Sequence, residues 1–250
     1  METARLLDLL DGDFRRLHAL AGGDLGAKVP TCPDWTLADL VEHVSMVYLH
    51  KAETMRLGAF PQPWPPEDRE PEAPADLLAR AYTALTAEFA ARSPETPSVT
   101  WFEPDQTVGF WIRRMAHESV IHRIDGELTV GAPIAPVPDD LAVDGVDEIL
   151  RAFLAYQSEV WQEDFADPLA PTKGEHILVR AGDTAWTVTL RPAAVQVSDG
   201  DLGQAAATVA GAPQALLLWL WRRAGDQEIT VEGDASLAAR LGELMRVATQ

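Results

Sequence analysis

The chain reads as an α + α/β two-domain protein: an up-down four-helix bundle with an extra helix, then a small α+β domain. Three observations point there. Apolar residues recur at helical spacing through the first two thirds, and from residue 176 short alternating runs take over. Helices followed by a strand-rich stretch imply separate domains rather than one mixed sheet. Hydrophobic residues make up 47% and charged residues 24% of 250 residues, the balance of a folded chain with room for two modest cores.

Each element has its own signal. Residues 3–21 place Leu6, Leu9, Leu10, Phe14 and Leu17 on one helical face. After the break "PTCPDW", Thr36 stands where an N-cap belongs and Asp39 follows three residues on, a capping-box pattern. That second helix runs to about Gly58, with Leu37, Leu40, Val44 and Val47 toward a core. The stretch 60–74 holds six prolines and reads as a long loop. A third helix over 75–92 carries Leu77, Leu78, Leu85 and Phe89, a fourth spans 108–129, and a fifth follows "GAPIAPVP" over 139–162. Strands are expected at 176–181, 185–191, 193–197 and 206–211, then a Leu- and Trp-rich helix at 213–223. A strand "EITVEG" and a last helix at 235–247 close the chain. The boundary is expected in "DPLAPTKG", which gives domains 1–166 and 175–250.

Charge and composition exclude several function classes. The formal net charge of -19 argues against nucleic acid, whose phosphates need a basic surface. The start, "METARLLDLLDGDF", lacks the basic region and apolar core of a secretory signal, and the most apolar run, "ALLLWLW", is too short to span a membrane. Cys32 is the only cysteine, which rules out an internal disulfide and a cysteine metal cage. The expectation is a cytoplasmic protein, monomer or homodimer, with no membrane or nucleic-acid partner.

The stretch "HESVIHRID" (117–125) resembles a zinc-protease signature with one residue too many. His117 and His122 are five apart and point about 140° away from each other on a helix. Glu118 and His122 are four apart and only about 40° apart. Arg114, Glu118, His122 and Asp125 form one polar stripe on a helix otherwise rich in Phe110, Ile112, Met115, Val120 and Ile121. The stripe reads either as a solvated face with an ion pair or as a site. His43, on the second helix among Leu40, Val44 and Val47, should lie on the buried flank, where a lone histidine is usually a hydrogen-bonded core residue. Joined to Glu118 and His122, it would complete a set of two histidines and one carboxylate with open coordination positions. His50 lies about 10 Å further along the axis, too far to share an ion, and reads as cavity lining or surface.

Three segments carry a resemblance over nearly the whole chain: "VPTCPDWTLADLVEHV", "FWIRRMAHESVIHRIDGEL" and "DDLAVDGVDEIL". In that order they resemble the mycothiol-dependent maleylpyruvate isomerase family, DinB-like bundles that hold a divalent metal, usually zinc. "AATVAGAPQALLLWLWRR" resembles that family's small sterol-carrier-like C-terminal domain. The resemblance implies that His43, Glu118 and His122 bind the metal, with Glu118 a ligand rather than a base and His117 in a structural role. It implies mycothiol as thiol cosubstrate and a small-molecule substrate, with a metal-bound thiolate attacking an activated double bond. It also implies an assisting arginine in the second domain, for which Arg222 and Arg223 are the nearest candidates. The other reading of that pair is a cationic helix end favoured by the macrodipole. Asp125 is a candidate for proton handling and Arg114 for binding the cofactor or a substrate carboxylate. Cys32 reads as packing. Two alternatives stand beside the isomerase: a mycothiol S-transferase that leaves the thiol on an electrophile, and a non-catalytic metal- or lipid-binding protein.

Overall fold

The structure is a computed structural model that describes residues 1–66 and 71–249. Part of the proline-rich loop expected at 60–74, residues 67–70, lies outside the described residues. The chain divides into two compact units, Met1–Ala135 and Pro136–Gln250.

The first unit is a four-helix bundle: α1 (Thr3–Leu20), α2 (Leu37–Leu57), α3 (Pro74–Ala90) and α4 (Val108–Thr129). The helices close a ring, α1 on α4, α4 on α2, α2 on α3 and α3 back on α1. The start of α2 works as the sequence suggests, for Thr36 and Asp39 make both bonds of the capping box. Pro74, expected as the last residue of the loop, instead opens α3 at a position that needs no N–H donor. Gly58, with φ of 68°, ends α2 in the left-handed conformation. Leu10, Leu17, Leu40, Val44, Leu78, Leu85, Trp111 and Val120 are buried and form the core. Gly126 lets α1 approach α4 closely, since a Cβ there would meet Leu20 Cδ1 at 2.9 Å.

Helix α4 is buried nearly all round, and it takes charges into the bundle. Arg123 is 1% exposed. It donates to Asp13 of α1 at 3.0 Å, to Glu127 at 2.7 Å and to the Ala135 carbonyl at 2.9 Å. A buried cation survives only with such partners, so this network ties α1, α4 and the end of the unit together.

The second unit begins with α5 (Asp139–Glu148), which continues through a π-helical stretch, Ile149–Ala155, into α6 (Tyr156–Val160) and then α7 (Gln162–Leu169). Strands β1 (Glu175–Ala181), β2 (Thr184–Leu190), β3 (Val195–Asp199), β4 (Ala207–Gly211) and β5 (Ile229–Gly233) form one sheet, ordered β3-β2-β1-β4-β5. Only the β1–β4 pairing is parallel. Helix α8 (Pro213–Leu220) and helix α9 (Ala235–Ala248) pack on this sheet. Strand β3 starts two residues later than expected, because the chain turns at 191–194, where the Arg191 N–H bonds the Ala194 carbonyl.

The division between units also falls earlier than the expected 167–174. The long helix from 139 packs on α8, and its polar groups are committed to the sheet. The Trp186 indole donates to Asp147 at 2.9 Å, Val195 N–H donates to the Ser158 hydroxyl at 2.9 Å, and Arg151 pairs with both Asp147 and Asp199. Helical periodicity alone cannot say which core a helix joins.

Candidate metal centre

Two helices of the first unit build the site. Helix α4 presents Arg114, Glu118, His122 and Asp125 at spacings of four, four and three, one stripe of a 3.6-residue helix. Helix α2 brings His43 to the same place. The His43 side chain is 36% exposed, so it sits on the rim of the bundle and not on the buried flank that its apolar neighbours suggested. Helical angle explains the difference: Leu40, Val44 and Tyr48 face the core, and His43 lies at the edge of that arc.

The donor atoms converge. His43 Nε2 and His122 Nε2 each lie 3.2 Å from Glu118 Oε1, and one donor atom from each of the three residues falls within 4.8 Å of the others. Donors bound tetrahedrally to zinc at ordinary lengths are about 3.3 Å apart, so the spacing suits such an ion. The set is chemically suited as well, being two imidazoles and a carboxylate with room left for other ligands.

A second layer aims the three groups. Arg114 is 3% exposed, and its Nη2 donates to Glu118 Oε2 at 2.6 Å, leaving Oε1 turned toward the imidazoles. Asp125 Oδ2 meets His122 Nδ1 at 3.0 Å while its Oδ1 accepts the Thr31 hydroxyl at 2.6 Å. A carboxylate on Nδ1 sets the tautomer that offers Nε2 as a ligand. Burial alone would raise the Glu118 carboxyl, but His122 and Arg114 outweigh it and hold it well below the usual range. Burial alone would lower His122, but Glu118 and Asp125 prevail and raise it to about 9.

The surroundings include groups that sequence reasoning passed over. Trp35 packs against His43 at 4.8 Å and His122 at 6.4 Å between ring centroids, and with Thr31 it brings the loop before α2 onto the site. The quoted "PTCPDW" held the signal, an aromatic and a hydroxyl just before a capped helix. Lys51, further along α2, lies with Nζ 4.9 Å from the Trp111 ring centroid. His50 packs against Phe60 and Trp64 at 5.8 and 5.2 Å, away from the ligand set, and burial beside Lys51 lowers it to about 4. His117 is buried on another side of α4, and Cys32 lies in the turn before α2. Arg222 and Arg223 belong to the second unit, just after α8, where Arg222 has φ of 60° and Arg223 donates to the Trp221 carbonyl at 2.7 Å.

Fold and site together define a class: a four-helix bundle with a candidate divalent-metal centre between two helices, joined to a small α+β unit. Two family profiles match this chain, the mycothiol maleylpyruvate isomerase N-terminal domain over residues 7–126 and its companion C-terminal domain over residues 140–240. The chain belongs to the mycothiol maleylpyruvate isomerase family. Among solved structures, that of a mycothiol-dependent maleylpyruvate isomerase superposes with a TM-score of 0.64 at 14% identity, covering 93% of each chain. A mutant of that enzyme superposes equally well, with the same TM-score of 0.64 and the same 14% identity over 93% of each chain. A UbiJ-SCP2 ubiquinone synthesis protein matches at 21% identity with a TM-score of 0.33, over 45% of this chain and 96% of its own. A comparison with curated proteins finds no match. No helix among the described residues is long and apolar enough to cross a membrane.

Proposed function

We propose that this protein is a zinc-dependent, mycothiol-dependent isomerase acting on a cis-enoyl diacid, with His43, Glu118 and His122 as the metal ligands. The observation that carries the reading is the convergence of those three side chains, with both imidazole nitrogens 3.2 Å from Glu118 Oε1 and the three donor atoms within 4.8 Å of one another. A divalent cation held there supplies the charge that keeps a coordinated thiol deprotonated at neutral pH.

The protein's own residues do the rest of the work. Arg114 clamps one oxygen of Glu118, so the carboxylate keeps its place without a metal. Asp125, anchored by Thr31, holds His122 in the binding tautomer. We read both as positioning residues, Asp125 in place of a proton carrier. The exposed edge of His43 is the side from which thiol and substrate arrive, and Trp35 covers the ring on another side. Addition of the thiol to the activated double bond, rotation about the resulting single bond and expulsion of the thiol return the trans isomer. Such chemistry suits the cytoplasm, where low-molecular-weight thiols stay reduced.

Metal quantification with an assay of mycothiol-dependent turnover tests the reading. One divalent ion per chain and a product of unchanged mass are expected, and His122→Ala should abolish both metal and turnover. Full metal content in that variant would refute the site. A product heavier by the thiol would make the protein a transferase, and a bound lipid without any turnover would make it a carrier.

A further inference from the structure

Lys51 is a charged side chain of α2 for which the ligand set supplies no role. It lies eight residues after His43 on α2, about 12 Å further along the axis. Its ammonium stands at the level of Trp111, about two turns before Glu118 on α4. Nζ donates to His50 Nδ1 at 3.1 Å and stands over Trp111, which belongs to the same helix as Glu118. Among the described residues no carboxylate forms an ion pair with it. Glu118 and Arg114 are the charged groups that act on it from α4, and both are already committed to each other.

Charge balance gives this arrangement a consequence. With a divalent ion on His43, Glu118 and His122, the seam holds that ion, Arg114 and Lys51 against Glu118 and Asp125. The excess is two positive charges beside the buried Arg114, and the cosubstrate's thiolate would offset only one of them. An incoming anion relieves it. Burial lowers the Lys51 amine to about 8 in the metal-free protein, and an anion beside it would favour the protonated form. Lysine also suits the task chemically, as a compact charge with three donors, of which His50 takes one and the Trp111 face another.

We propose that Lys51 anchors the far carboxylate of the acidic substrate, about two turns of α2 from the ligand set, as the residue that selects a small acid over a neutral electrophile. The inference rests on the metal-centre reading above and assigns a specificity residue to it. A charge-assisted contact of this kind changes affinity by about tenfold or more.

The test uses the full-length, zinc-loaded protein with adipate, a dicarboxylate inert to thiols, and adipamide, its uncharged counterpart. Calorimetry should show adipate binding and adipamide not. Lys51→Met should weaken adipate at least tenfold at unchanged zinc content, and Lys51→Arg should recover most of the loss. In turnover, Lys51→Met should raise KM far more than it lowers kcat. A readout on the unaltered protein guards against a variant that fails to fold. The chain has only three lysines, so reductive methylation mapped by mass spectrometry should show adipate protecting Lys51 while Lys28 and Lys173 react as before. Equal adipate affinity in Lys51→Met, or unprotected Lys51 in the unaltered protein, overturns the proposal while zinc binding stands. Failure to bind zinc at all overturns the metal-centre reading first.

Discussion

At the scale of single residues, the site is a problem in charge, and His122 is its pivot. Its folded-state value of about 9 lies above the ordinary 6.5, so protonated His122 stabilises the metal-free protein fully below pH 6.5. That contribution is lost as pH rises through about 9. A metal must displace the same proton, so zinc affinity should climb with pH between 6.5 and 9, by up to about tenfold per unit. Calorimetry in buffers of different ionisation enthalpy should find close to one proton released at pH 7.5. Asp125→Asn keeps the shape but weakens the hold on Nδ1. It should lower zinc affinity about 10- to 100-fold, read by competition with a chelator, with the helical circular dichroism unchanged.

At the scale of elements, α4 carries two polar networks on two faces, and they differ in kind. One face holds the candidate ligands, and the other holds Arg123 between Asp13 and Glu127. Arg123→Met removes a buried cation and leaves two carboxylates without it, which should destabilise the protein by about 3–5 kcal/mol in denaturant unfolding. The cap of α2 is a milder test. Thr36→Ala loses the bond that the Thr36 hydroxyl accepts from the Asp39 N–H and the one it donates to the Asp39 carboxylate, and should cost about 1 kcal/mol by the same measurement. The helix that places His43 was legible from Thr36, Asp39 and Gly58. The facing of His43 was not, because a one-dimensional pattern marks the centre of an apolar arc better than its edges.

At the scale of the whole molecule, the candidate site is confined to one unit. All three candidate ligands, together with Thr31, Arg114 and Asp125, lie in the unit Met1–Ala135. A fragment ending at Ala135 should therefore bind one zinc ion with an affinity within about tenfold of the full chain, measured by chelator competition. A fragment that folds yet binds no metal would show that the second unit contributes to the site. The sequence placed nearly every element within a few residues but assigned the helix at 139 to the wrong neighbour. Its apolar face is equally good against a bundle or a sheet, and only the partners of Asp147, Arg151 and Ser158 reveal the choice.

The sequence by itself determined the helices, the cap of α2, the order of bundle and sheet, and the pairing of Glu118 with His122 on one stripe. These are local matters, set by spacing along a chain whose periods are known. Tertiary structure alone decided that His43 meets that stripe from another helix, that Asp125 turns to His122 and Thr31, and that Lys51 stands over Trp111. Contacts between residues far apart in the chain depend on how helices rotate and cross. Packing of the entire core sets those angles, and no single stretch of sequence contains them.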